Sequence, residues 1–301
     1  MTVILQWLIT GLCVGLVYAM FSAGYSLMFG VMRCLNVAHA GVFMLCALIA
    51  CKLSMLPVQG IGLHAVIVGG TVLAGVLLSV AVHGLALHYM LRPGANTVDI
   101  EMGSFLSTLG ALFIIESAAV EWSDARAFNF NFDYLKLGSA NIVGVVLPLK
   151  YLAVGAAAVV SLLAMDRVLR SSLGRRMRAT ADSRLLATVM GVNVRRTQQL
   201  SMVIAGALAG LAGLMIAYLY GQATIGLSHT FLLKAIVIGI VAGLGSVTGA
   251  MVVALLVGVL EAATVNYLGS GWRDISLFVL VIIVLAVRPQ GVFHRKQRAA
   301  T

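Results

Sequence analysis

Leu173-Gly174-Arg175-Arg176-Met177-Arg178-Ala179-Thr180-Ala181-Asp182-Ser183-Arg184-Leu185-Leu186-Ala187-Thr188-Val189-Met190-Gly191 gathers charge that the rest of this chain avoids. Between Arg167 and Arg196 lie eight of the 20 Lys and Arg residues, namely Arg167, Arg170, Arg175, Arg176, Arg178, Arg184, Arg195 and Arg196, against Asp166 and Asp182. Long apolar runs close in on both sides. A basic loop between two membrane-length runs marks the side of the bilayer that keeps positive charge, so residues 170–197 read as a cytoplasmic loop. Within it, Leu185 to Gly191 spaces its apolar residues along one face of a short helix, and Gly191 stands where that helix would stop. Such a segment either docks on a partner or is an amphipathic turn in an ordinary positive-inside loop. Composition does not separate the two.

The remainder of the sequence sets the class. Soluble domains carry about 45–50% apolar and about 25% charged residues, whereas this chain has 61% and 10% with mean hydropathy +1.05. It has too little polar surface to face water and reads as an integral membrane protein. The net charge of +10 sits in one loop, the tail and scattered span ends; that is positive-inside topology, not a nucleic-acid-binding face. Cys13, Cys34, Cys46 and Cys51 form no C-x-x-C pair and lie in or beside apolar runs, so neither a disulfide nor a metal site is indicated. The first apolar run lacks a basic leader and an A-x-A-like cleavage site, and reads as a retained span.

A crossing of about 30 Å of hydrocarbon needs roughly 20 apolar residues. That length picks out spans at 5–29, to about 56, 62–90, 102–120, 145–165, 199–220, 250–268 and 275–287, with a shorter run at 231–244. The chain is expected to be a single all-α domain over 1–301, a polytopic bundle of about eight or nine spans with discontinuous helices and a basic tail from 289. Arg92 and Pro93 end the third span. Five spans before the basic loop put the N-terminus outside, Arg33 and Arg92 inside, and the acidic, aromatic stretch from Glu121 through Phe132, Asp133 and Tyr134 outside. Arg295, Lys296 and Arg298 hold the tail inside.

Two interruptions stand out. Gly30 to Gly41 sets Arg33, Asn36 and His39 between apolar segments, and Gly243 to Gly249 breaks the run before Ala250. Irregular backbone at membrane depth survives only where protein or a wet cavity buries it. Asn36, His39, Gly41, Gly245, Ser246, Thr248 and Gly249 are therefore candidate pathway residues, with an interfacial span end as the plainer alternative for Asn36 and His39. Ala38 to Met44 and Ser246 to Val252 can be laid together as a weak internal repeat, which is expected of transporters built from two halves. Gly206, Gly210 and Gly213 read as tight helix packing. There is no P-loop, zinc spacing or G-x-S-x-G, and Glu116 and Glu261 stand singly in apolar runs, so catalysis and a bound cofactor are not expected.

The chain resembles the LivH-type permeases of branched-chain amino acid ABC importers. The resemblance rests on Asn36-Val37-Ala38-His39, Leu173 to Ala179, Ala187 with Gly191, Gly243 to Ala250, Glu261, and Arg288-Pro289-Gln290-Gly291-Val292-Phe293, six pieces in order along nearly the whole chain. It implies a multi-pass subunit of a bacterial inner membrane that is not itself an enzyme. Its partners would be a second permease, homologous or identical, two cytoplasmic ATPase subunits and a periplasmic substrate-binding protein. Arg184, Leu186, Ala187, Met190 and Gly191 would then form the ATPase-coupling segment, with Ala187 and Gly191 on one helix face for close approach, Leu186 and Met190 as anchors and the arginines as rim, and the solute would be Leu, Ile, Val or a related small amide. The chain departs from the family at Ala40, where Gly is usual, and lacks the Glu-Ala-Ala start common in coupling segments. Other readings are a stand-alone carrier coupled to protons through Glu116 or Glu261, an ABC permease for urea or another amide, and a scaffold subunit without a pathway of its own whose partner permease conducts.

Overall fold

The computed structural model describes residues 2–57, 61–88, 97–131, 138–142 and 145–293. Eleven α-helices dominate them: α1 (Thr2–Met32), α2 (Ala38–Leu53), α3 (Ile61–Val82), α4 (Thr97–Ser123), α5 (Leu149–Arg170), α6 (Ser172–Asp182), α7 (Arg184–Val189), α8 (Val194–Tyr220), α9 (Leu227–Ala242), α10 (Val247–Tyr267) and α11 (Arg273–Val287). A π-helical turn, His83–Leu87, extends α3. Four short strands, β1 (Phe128–Asn129), β2 (Ser139–Ile142), β3 (Val145–Pro148) and β4 (Gln222–Ala223), pair antiparallel as β1 with β4 and β2 with β3. Helices carry the crossings because their backbone satisfies its own hydrogen bonds in lipid. The expected features at Arg92 and Pro93, at Phe132, Asp133 and Tyr134, and at Arg295, Lys296 and Arg298 lie outside the described residues.

Among the described residues, seven helices are long and apolar enough to cross a membrane, and α2 and α9 are shorter apolar helices. At 16 residues each, these two span about 24 Å at 1.5 Å per residue, less than the hydrocarbon core. They sit inside the bundle, so their ends meet protein. Counting both gives nine crossings, and the helix limits move the start of one expected span. The fifth begins at Leu149 because residues 145–148 pair as β3. The aromatic stretch after α4 also folds back onto the bundle: Phe128 lies under the Lys52 ammonium at 4.2 Å, and the Asn131 amide donates to Ser54 Oγ at 2.9 Å.

An internal two-fold relation organises the core. α1 packs most heavily on α10, and α8 on α3; α2 lies against α8 as α9 lies against α1, and α2 touches α9 at the centre. The glycines repeat this pattern in detail. A methyl group at Gly258 would strike Gly11 O and the backbone of Gly15, and one at Gly75 would strike Gly206 O and the backbone of Gly210. Two i, i+4 glycine pairs, one on α1 and one on α8, thus each admit a third glycine to backbone contact, as small-residue seams do in membranes. Phe43 of α2 stacks on Phe231 of α9 with centroids 4.1 Å apart, where the two halves meet.

The repeat therefore relates α1–α4 to α8–α11. It corrects the match of Ala38–Met44 with Ser246–Val252, because α2 corresponds to α9 and not to α10. Short apolar strings are too degenerate to set that register, whereas glycines forced by backbone contact are not. Four spans bring the chain back to its starting side, and α5 adds one crossing before the second half begins. The halves consequently run in opposite directions through the bilayer, an inverted-topology repeat.

Candidate functional site

The basic loop folds as two helices joined at Ser183. α6 is amphipathic, with Met177 and Thr180 buried and Arg175, Arg176 and Arg178 exposed. The Ser183 hydroxyl caps α7 by accepting from the Leu186 amide at 3.3 Å. At the other end, Gly191 is left-handed at φ +79°, the Gly191 amide donates to Thr188 O, and the Val192 amide donates to Ala187 O. This two-bond closure fits Gly where the helix stops. The expected short helix is present, but Ala187 and Gly191 do not share a face. Ala187 points into the bundle and Gly191 lies beyond the helix end, so close approach through that pair is not how the loop is built. The outward surface is Leu185, Leu186, Val189 and Met190, with Leu186 65% and Met190 82% exposed. Behind it, a cleft of about 350 Å³ runs between Leu173, Arg176, Asn193, Arg196 and Leu200.

Arg184, the first residue of α7, does not rim this surface. Its guanidinium turns inward and donates to the carbonyl of Met32 at the end of α1. Arg33 answers from the next residue, donating through Nε and Nη2 to Ala181 O at 3.2 and 3.1 Å.

Beyond Arg33 the chain enters the buried turn. Thr108 of α4 secures it, accepting from the Val37 amide at 3.2 Å and donating to Leu35 O at 3.3 Å. Asn36 is buried and, among the described residues, donates to sulfur alone, to Met28 at 3.4 Å and Met202 at 4.0 Å, with no partner there for its Oδ1. His39 stacks on Phe21 with centroids 4.9 Å apart, and among the described residues neither ring nitrogen finds a partner in good hydrogen-bonding geometry. Ser22 Oγ and Tyr25 Oη on the adjoining turns of α1 are buried in the same condition. Phe21, Phe43 and Phe231 pack on one another beside His39. Unpaired buried polar groups are costly unless another state of the protein, water or a solute engages them. Gly41 packs against Leu112 of α4, where a methyl would come within 2.9 Å.

The second break is arranged differently. Gly243 and Gly245 turn the chain with positive φ of 91° and 87°, and the Ser246 hydroxyl accepts from the Gly249 amide at 3.2 Å to start α10. Gly245 adjoins Gly30, so the two breaks touch. Gly249 is covered by Phe293, and Thr248 faces outward into a groove against α5. The segment Arg288 to Phe293 folds back as a strap: the amides of Val292 and Phe293 donate to Val241 O and Ala242 O at 2.9 and 3.0 Å. These bonds satisfy carbonyls that the end of α9 would otherwise leave bare.

Sequence reading missed one group. Lys234 lies within the run treated as wholly apolar, and its ammonium donates to both Glu261 oxygens at 2.9 Å and to the Tyr18 hydroxyl. Arg273 Nε reaches Glu261 Oε1 at 2.9 Å. Glu116 also has partners, accepting from Ser228 Oγ at 2.6 Å with His229 Nε2 at 3.5 Å. Neither acid stands alone. The available signal was a lone Lys in one run and a lone Glu in the next.

Comparison with known proteins fits this geometry. Over 95% of the chain the fold is similar to a solved structure, PsaBC from Streptococcus pneumoniae in complex with Fab, with TM-score 0.50, 12% identity and 93% of that chain covered. Two curated relatives match nearly end to end. They are the high-affinity branched-chain amino acid transport system permease proteins BraD of Pseudomonas aeruginosa, 27% identical over 97% of this chain and 96% of its own, and LivH of Escherichia coli, 26% identical with the same coverage. The autoinducer 2 import system permease protein LsrC of Klebsiella pneumoniae is 29% identical over 68% of this chain and 61% of its own. Residues 7–287 match the family described as branched-chain amino acid transport system / permease component, and the chain belongs to that family of membrane permeases.

Proposed function

We propose that this chain passes Leu, Ile, Val or a related small amide inward as one of two permease subunits in a bacterial inner membrane, driven by ATPases docked on α7 and fed by a periplasmic binding protein. The observation that carries this reading is the exposed apolar face of α7. Leu185, Leu186, Val189 and Met190 are exposed next to the run of arginines from Arg167 to Arg196. A helix whose apolar face is left open to water suits a partner's groove, and the surrounding cations suit steering of that partner. The choice of solute follows the near-full-length relatives. In this reading Asn36 and His39, beside Phe21, Phe43 and Phe231, meet the solute when these rings part, and Gly245, against Gly30, adjoins them from the second break.

Reconstitution into liposomes with the ATPases and binding protein tests the reading. Uptake of labelled Leu should require ATP, survive collapse of the proton gradient and be outcompeted by Ile and Val but not by urea. Leu186→Asp and Met190→Asp should each lower ATPase co-purification about tenfold or more, since buried apolar anchors dominate such contacts. ATP-independent uptake lost with the proton gradient would refute the proposal.

A further inference from the structure

We propose that Arg33 and Arg184 form a reciprocal clasp that passes displacement of α7 directly to the turn between α1 and α2, which makes them positioning residues for Asn36 and His39. This rests on α7 being the ATPase-docking helix. Arg184, the first residue of α7, serves the end of α1, and Arg33, just past α1, serves the end of α6, which Ser183 joins to α7. α1 ends at Met32, whose carbonyl accepts from Arg184, and α6 ends beside Ala181, whose carbonyl accepts two bonds from Arg33. Both carbonyls belong to the group a helix C-terminus leaves unpaired, where cationic side chains are also favoured by the helix dipole.

The backbone at Arg33 points the same way. Its φ is +52°, one of three positive values at non-glycine positions among the described residues. A long side chain in the left-handed region is strained, and such strain persists where surrounding structure over-determines it. Here the side chain is what the position uses: glycine would relax the backbone but could not reach Ala181.

The covalent route from α7 to α8 is softer by comparison. It passes through Gly191, where an added methyl would meet nothing within 4 Å, and it overlies the cleft beside Leu200. A push on α7 can be absorbed there. Through the clasp, the same push reaches Met32 and Arg33, three residues before Asn36. The turn is held on its far side by Thr108, so motion delivered at Arg33 bears on the segment between these two anchors.

The test uses the full complex in liposomes and the variant Arg33→Gly, which removes the Ala181 arm and so opens the clasp on one side, while suiting the left-handed backbone. Its thermal midpoint should equal or exceed wild type, the ATPase should co-purify normally and basal hydrolysis should be unchanged. Stimulation by loaded binding protein should fall about fivefold or more, the lower end of ordinary coupling energies, and less solute should be delivered per ATP. Arg33→Lys should recover part of the loss by restoring one donor, and Arg184→Gln should act in the same direction without adding to Arg33→Gly. Full stimulation and normal solute per ATP in Arg33→Gly overturns the clasp, as does loss of ATPase binding in that variant. Retained ATPase binding by Leu186→Asp and Met190→Asp overturns instead the docking reading on which the clasp rests.

Discussion

Replacing Glu261 by Ala strands a buried ammonium. The Lys234 side chain is 3% exposed and donates to both Glu261 oxygens, leaving it only the Tyr18 hydroxyl once the carboxylate is gone. Arg273, 40% exposed at its side chain, can turn to water, so the cost concentrates on Lys234. Breaking one partner of a buried pair costs about 3–5 kcal/mol, which at roughly 2–4 °C per kcal/mol lowers the thermal midpoint by about 6–20 °C. Lys234→Met combined with Glu261→Leu should restore most of that loss, because an apolar pair of similar volume avoids the desolvation penalty of both ions. The assay is the thermal unfolding midpoint of detergent-purified protein for wild type, each single variant and the double. A Glu261→Ala midpoint within about 2 °C of wild type, or a double variant no better than the single, would refute the view that mutual need holds this pair.

Gly75→Ala and Gly258→Ala should each destabilise by about 1–3 kcal/mol through forced separation of helices, whereas Gly69→Ala and Gly84→Ala, where an added methyl meets nothing within 4 Å, should be neutral; folded yield by size exclusion reads both. Gly291→Ala should release the C-terminal strap, since φ is +84° and the methyl would come within 2.6 Å of Gly243 Cα; protease cleavage after Arg288 should then quicken, and unchanged cleavage would remove the strap's role in holding α9. Cysteine placed at Arg178 should be labelled by impermeant maleimide only from the cytoplasmic side, and cysteine at Asn129 only from outside; labelling of the Arg178 site on intact spheroplasts would reverse the topology.

The crossings were legible because membrane length and hydropathy impose a coarse ruler, which seven helices obey and which α2 and α9 fall short of while keeping their apolar composition. Loop charge was equally readable, since it acts through position in sequence. What escaped depended on three-dimensional neighbours. Lys234 vanished into an apolar run because its neutralising partner lies on another helix. Ala187 and Gly191 looked like one helix face until the helix proved to end at Val189. The true repeat was hidden because only Gly11, Gly15 and Gly75 with their counterparts Gly206, Gly210 and Gly258 carry it, and glycines in apolar helices look alike until a backbone is seen against each one. Arg33 was read as a topological marker. Its left-handed backbone and its bond to Ala181 were invisible without coordinates.

The inverted halves have a consequence for how the protein acquires its orientation. A helix pair that occurs in both directions within one molecule carries no directional label in its own packing surfaces, because the same glycine seam serves a span entering the membrane and a span leaving it. Direction must then be stored in the connections. The turn after α1 carries Arg33, while the corresponding turn after α8, residues 221–226, carries no charged residue. During synthesis a few such cations decide which half faces which way, so the arginines around residue 180 act as an address for everything that follows them as well as a surface.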